Sequence, residues 1–141
     1  MEHILCAVDL SDEPDALKIL EEAEKLAGLY DASLSLVTVV PDYGSSWVGS
    51  FFKEGTLKMA TEAAMDALKK LSADTQARGR KVQHIVEIGT TYEEILHAAD
   101  QMNADLIVVG AHKPDLASRI IGPNASRVVR YAKASVLVVR V

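Results

Sequence analysis

Short, unbroken apolar runs alternate along the chain with segments whose apolar residues recur at helical spacing. Residues 4–8 form the first run and end in Asp9-Leu10-Ser11-Asp12; a strand covered on both faces reads this way. Ser11 or Asp12 can then cap a helix that tolerates Pro14 in its first turn, with Ala16, Ile19, Leu20, Ala23, Leu26, Ala27 and Tyr30 as the core-facing stripe. A second strand is expected over 34–40, stopped by Pro41, and residues 41–53 make the longest irregular connection, with Trp47, Phe51 and Phe52 available to tuck it down. A long helix is expected from Glu54 to about Arg78, where Gly79 supplies a stop.

A third strand is expected over 82–88. Thr91 and Glu94 fit a capping box that opens the next helix, whose buried stripe is Ile95, Leu96, Ala99 and Met102. Residues 106–109 are the most apolar run, so they are placed as a central strand with Gly110 at its carboxyl end. A loop over 111–121 leads through Gly122-Pro123-Asn124 to a short helix with Ala125, Val128, Val129 and Ala132 in its stripe, and residues 136–139 form the closing strand. The alternation βαβαβαβαβ predicts an α/β fold: one doubly wound, five-stranded parallel sheet between layers of helices.

Bulk properties narrow the class. A length of 141 residues fits one domain, spanning 1–141, and 49% apolar with 25% charged residues is ordinary for a globular chain. A net charge of −5 without clustered Lys and Arg argues against nucleic acid or an anionic membrane as partner. The lone cysteine, Cys6, sits in an apolar run and reads as core. No secretion signal and no run of about 20 apolar residues is present, so a cytoplasmic location is expected.

In open parallel sheets ligands bind outside the carboxyl ends of strands, where the winding reverses. If the strands ending at Asp9 and Gly110 are neighbours, the crevice lies between them. Phosphate needs close backbone N–H groups and a positive helix end, which Gly110 and Gly122 permit; N–H groups from about Asn124 to Ser126, with the Asn124 and Ser126 side chains, could meet the anion. A purely structural reading stands beside this, in which Gly110 relieves crowding after a strand and Gly122 is a turn residue. The histidines His3, His84, His97 and His112 are scattered, no metal-ligand spacing occurs, and the P-loop and Gly-x-Gly-x-x-Gly patterns are absent. Enzymatic activity is therefore not expected beyond slow or incidental hydrolysis of a bound phosphate ester.

The segments Asp105-Leu-Ile-Val-Val-Gly-Ala-His-Lys-Pro, Ile121-Gly-Pro-Asn-Ala-Ser-Arg-Val-Val-Arg-Tyr-Ala and Ser135-Val-Leu-Val-Val-Arg, with Ile4-Leu-Cys-Ala-Val-Asp-Leu-Ser at the start, resemble the universal stress protein family over essentially the whole chain. The resemblance implies a Rossmann-like sheet of order 3-2-1-4-5 and a nucleotide-dependent stress-response module. The ligand it implies is ATP, with Mg or Mn as companion ion. Ala7 and Val8 would flank adenine and ribose, Asp9 would take a polar role beside them, Val39 would close over the base, and Val109 would lie alongside. ATP-binding members carry Gly-x-x-Gly and, after a spacer, Gly-Ser or Gly-Thr. Here Lys113 replaces the second glycine, the spacer is a residue shorter, and Pro123 replaces the hydroxyl residue. His112-Lys113-Pro114 resembles the His-Arg-Pro-like turn of one nucleotide-binding branch, and Lys113, Asn124, Ala125 and Ser126 would offset the lost donors. Ala7, Val8, Val39 and Val109 equally suit the core, and Asp9 a helix cap.

Two readings of other classes remain. One is a nucleotide-free interaction module acting as a dimer; the closing strand would lie at a sheet edge, where an apolar exposed ladder invites a second copy, so a homodimer is expected. The other is a phosphoacceptor receiver using Asp9, for which Ile88-Gly89-Thr90 supplies no phosphorylatable aspartate.

Overall fold

The computed structural model describes residues 1–41, 54–111 and 122–141. The expectations that rest on Trp47, Phe51 and Phe52, and on His112 and Lys113, therefore lie outside the described residues. In chain order the elements are β1 (His3–Ala7), α1 (Glu13–Tyr30), β2 (Ser33–Pro41), α2 (Glu54–Leu71), α3 (Ala73–Ala77), β3 (Val82–Gly89), α4 (Thr91–Gln101), β4 (Leu106–Ala111), α5 (Pro123–Tyr131) and β5 (Ser135–Arg140). The strands form a five-stranded sheet of order β3-β2-β1-β4-β5, and every pairing is parallel. This is the doubly wound, Rossmann-like architecture that the alternation predicts.

Period-two alternation explains why the strand runs look continuously apolar: each face has its own core. Ile4, Cys6, Val8, Leu34, Leu36, Leu106 and Val108 pack beneath Ala16, Ile19, Leu20, Ala23 and Ala27 of α1 and Leu68 and Leu71 of α2. Leu5, Ala7, Val37, Ile107 and Val109 pack on the other face against Ile95, Ala98 and Ala99 of α4 and Ala125 and Val128 of α5. Cys6 is fully buried, and that burial pushes its thiol up to about 12, which keeps it an inert core residue.

Several boundaries differ from the sequence expectation for local reasons. The expected long helix breaks at Ser72 into α2 and α3. The buried Ser72 hydroxyl donates to the Lys69 carbonyl at 3.3 Å and meets His84 Nε2 at 2.7 Å, which is the side-chain competition with backbone that disfavours serine inside a helix. The capping box does not form: α4 starts one residue early, with Thr90 as N-cap and no side-chain cap bond. Gly89, at φ +147°, turns the chain there, and a Cβ on it would lie 2.8 Å from Glu94 Oε1. Pro41 closes β2 from within, as its last residue, opposite Gly89. Two stripe residues, Tyr30 and Val129, are exposed at 47% and 48%.

Candidate functional site

The winding reverses between β1 and β4, which pair directly through Ile4, Leu5 and Cys6 against Leu106, Ile107 and Val108. Beyond their carboxyl ends lies a cleft of about 890 Å³, within the range of small-molecule sites. Ala7, Val8 and Asp9 line it from the end of β1, and Val37, Thr38, Val39, Val40 and Pro41 from β2. Ala64 of α2 and Thr91 and Ile95 of α4 also face it. Val109, Gly110 and Ala111 contribute from β4, Gly122, Pro123, Asn124, Ala125 and Val128 from the α5 side, and Val141 from the end of the chain. The turn after β1 adds Leu10, Ser11 and Asp12, and the start of α1 adds Asp15, Ala16 and Ile19.

Of the residues singled out from sequence, Ala7, Val8, Asp9, Val39, Val109, Gly110, Gly122, Pro123, Asn124 and Ala125 come together here, whereas Ser126 is not among the lining residues. The core reading of the apolar members also holds, because Ala7, Val8 and Val109 are buried parts of the two clusters and form the cleft floor. The Asp9 carboxylate accepts the Ser11 N–H at 2.9 Å, while the cap of α1 is Asp12, which accepts the Asp15 N–H at 3.2 Å. Thr38 was not foreseen; its hydroxyl donates to the Val8 carbonyl at 3.0 Å and so satisfies that buried group. Thr91 was also missed. A rule that counts every strand's carboxyl end, including the β3 to α4 turn, would have found both.

Three helix amino ends reach the cleft, and they differ: α4 opens at Thr91 with Glu93 and Glu94 in its first turn. α1 begins with Asp12, Glu13 and Asp15, so its positive end is met by its own carboxylates. α5 has no acidic residue in its first turn. Its first intrahelical bond runs from the Ser126 N–H to the Gly122 carbonyl at 3.0 Å, which corrects the expectation that the Ser126 amide would face a ligand. Pro123 has no N–H, so the amides of Asn124 and Ala125 are the ones left pointing out of the helix.

The two glycines also differ. Gly110 lies inside β4, opposite Val139, and a Cβ there would overlap Ile19 Cδ1 and lie 3.0 Å from Ile19 Cγ1. Its smallness serves the packing of α1 on the sheet, as the structural reading has it. At Gly122 a Cβ would meet nothing within 4 Å among the described residues, and φ is an ordinary −56°. The described packing gives no reason for glycine at 122, whereas close approach by a ligand would.

The described residues contain no group of His, Cys, Asp or Glu arranged to hold a metal ion, and none of their helices is long and apolar enough to cross a membrane. Residues 1–140 match the model of the universal stress protein family. Universal stress protein G of Shigella flexneri is 28% identical over 143 residues, 97% of either chain. The solved structure of protein MJ0577 superposes with a TM-score of 0.79 at 25% identity, covering 99% of this chain and 96% of that one. A universal stress protein crystallised in complex with cAMP superposes with a TM-score of 0.71 at 25% identity, covering 98% and 96%. Matched over nearly its whole length by the family model, by a curated relative and by solved folds, the chain belongs to the universal stress protein family.

Proposed function

We propose that residues 1–141 act as one nucleotide-binding regulatory domain that takes ATP, with Mg or Mn where the triphosphate carries it, in the cleft between β1 and β4. The observation that carries this reading is the amino end of α5, which has no acidic residue in its first turn, beside Gly122, where a Cβ would meet no atom of the described residues. Adenine fits the apolar floor of Ala7, Val8, Val39 and Val109, and the ribose lies toward Asp9. The phosphates meet the Asn124 and Ala125 amides, where a helix end contributes about 0.3–1 kcal/mol per exposed contact. The Asn124 side chain can donate as well, and Ser126, Lys113 and His112 are proposed as further polar contacts of the nucleotide. The cAMP complex of a relative supports an adenine nucleotide as the class of ligand.

Thermal unfolding with and without ATP-Mg tests the proposal. Binding to the folded state alone stabilises it by about 2.7 kcal/mol at one hundred times Kd, a readily measured rise in Tm. Absence of any shift at millimolar nucleotide, with none released from the denatured purified protein, defeats it.

A nucleotide-free dimeric module is the second reading, favoured by the half-exposed residues Val136, Leu137, Val138 and Val139 on the edge strand β5. A homodimer through β5 is proposed under either reading. Intact partner binding in Gly122→Val, with loss on mutation of β5, selects the second reading.

A further inference from the structure

Charge is divided unevenly along this chain. Residues 122–141 hold Arg127, Arg130, Lys133 and Arg140 and no carboxylate, so the other 121 residues carry −9 against −5 for the whole. On the opposite face of the sheet, α1 carries Glu13, Asp15, Glu21, Glu22 and Glu24 against Lys18 and Lys25. The last helix and strand are thus a basic edge on an acidic body.

The basic edge is also ordered and partly apolar. α5 buries Ala125 and Val128 but turns Val129 and Tyr131 outward, exposed at 48% and 58%. The Arg127 guanidinium lies 5.1 Å from the centroid of the Tyr92 ring, and that of Arg130 lies 5.8 Å from the Tyr131 ring. The two rings stack on each other at 6.3 Å. An aromatic face under a guanidinium fixes its plane while leaving its N–H edges available for a carboxylate. Among the described residues no carboxylate bridges Arg127 or Arg130; Glu93 of α4 accepts the Tyr92 hydroxyl at 3.2 Å, and Asp100 of α4 shares a pocket with Lys133.

We propose that the outer face of α5 docks an acidic segment of another protein that carries an apolar side chain, the carboxylates meeting Arg127 and Arg130 and the apolar group resting on the exposed ring of Tyr131. The acidic body repels a long polyanion that runs past the patch, which disfavours nucleic acid and anionic membrane. A second copy joining its acidic α1 to this face would make a head-to-tail contact that does not close. A distinct partner meets neither objection. Arg127, Arg130 and Tyr131 lie off the buried stripe of Ala125 and Val128, and the proposal does not depend on nucleotide binding.

A short fluorescent peptide alternating glutamate with leucine is the probe, with anisotropy as readout. Binding is expected to weaken about tenfold when salt rises from about 0.1 M to about 1 M, as screening shortens the reach of exposed charges. It is expected to vanish in Arg127→Glu/Arg130→Glu and to fall severalfold in Tyr131→Ser. Arg127→Ala/Arg130→Ala serves if charge reversal disturbs folding, and an unchanged far-ultraviolet spectrum with retained ATP response shows that the cleft is intact. No binding by the native chain, or equal binding by the Arg variants, overturns the proposal. Tighter binding of oligothymidylate or phosphatidylserine vesicles overturns it in favour of a polyanion, and sedimentation showing self-association that the Arg variants abolish overturns it in favour of a second copy.

Discussion

The two ends of the sheet are built on different terms. At the amino end the chain is stitched together: one Asp105 carboxylate oxygen accepts the N–H groups of Glu2 at 2.7 Å and His3 at 2.9 Å, and the Asp105 N–H donates to the His3 carbonyl at 2.8 Å. The Ser33 N–H and hydroxyl both reach the Glu2 carbonyl, while Ser33 Oγ lies 2.8 Å from His3 Nδ1. At the carboxyl end, β1 and β4 part beyond their pairing, and the cleft opens among Val8, Asp9 and Gly122. At the amino end side chains tie β1, β2 and β4 to one another, whereas at the carboxyl end the strands' own bonds, from the Val8 N–H to the Val37 carbonyl and from the Thr38 hydroxyl to the Val8 carbonyl, border an open cleft.

The largest effect expected from breaking this contrast falls on the glycines. Gly110→Ala drives a methyl into Ile19 on a buried face, and overpacking of this kind costs about 1–3 kcal/mol. Chemical denaturation should show that loss, and adding Ile19→Val, which removes Cδ1, should recover part of it. A Cβ at 122 meets no atom of the described residues within 4 Å, so Gly122→Val is expected to cost little beyond a poorer cap, about 1 kcal/mol or less, while the ATP-induced rise in Tm disappears. If the two substitutions have the same profile, the division of labour between packing glycine and ligand glycine is wrong.

This division was half legible in the sequence. The βα alternation, the strand order expected from the family resemblance and ten of the twenty-six cleft-lining residues could be read, because both cores are written as period-two runs under helical stripes. Gly110 and Gly122 looked alike in sequence; the difference depends on Ile19, which lies far away in the chain and reaches Gly110 only after α1 packs on the sheet. The Ser72 break was hidden for the same reason, since its partner His84 arrives with β3. Val129 was misplaced because a short helix at the sheet's margin buries a narrower stripe than a central one, and that misplaced residue belongs to the α5 surface.

A middle effect is expected at the stitched end. The Glu2 N–H, then the His3 N–H, hold the Asp105 carboxyl below its usual value, so the unfolded chain takes up the proton first as the solution is acidified. The stabilisation is fully present above the ordinary carboxylate pKa of about 3.9 and is lost as pH falls through the folded value. Asp105→Asn, which cannot accept with the same charge, should lower Tm at neutral pH and flatten its fall below about pH 4, without touching the ATP response. An altered ATP response would mean that the two ends are coupled after all.

The smallest effect is expected midway along the edge strand β3, where His84 sits opposite Leu36. Its pKa is held below the ordinary value, first by burial and then by the charge of Lys69, while Ser72 Oγ contacts its Nε2. The unfolded chain therefore binds this proton before the folded one does. Stability contributed by the neutral ring is constant above about pH 6.5, declines as pH drops through that value, and levels off below the folded pKa. Between about pH 7.5 and about pH 5.5 the native Tm should fall slightly, and His84→Gln, whose amide can still meet the Ser72 hydroxyl, should remove the slope. A slope unchanged in the variant would move the acid sensitivity to another histidine. A slope larger than that of Asp105→Asn would place the weak point of the scaffold at the α2–α3 break, between the stitched end and the open one.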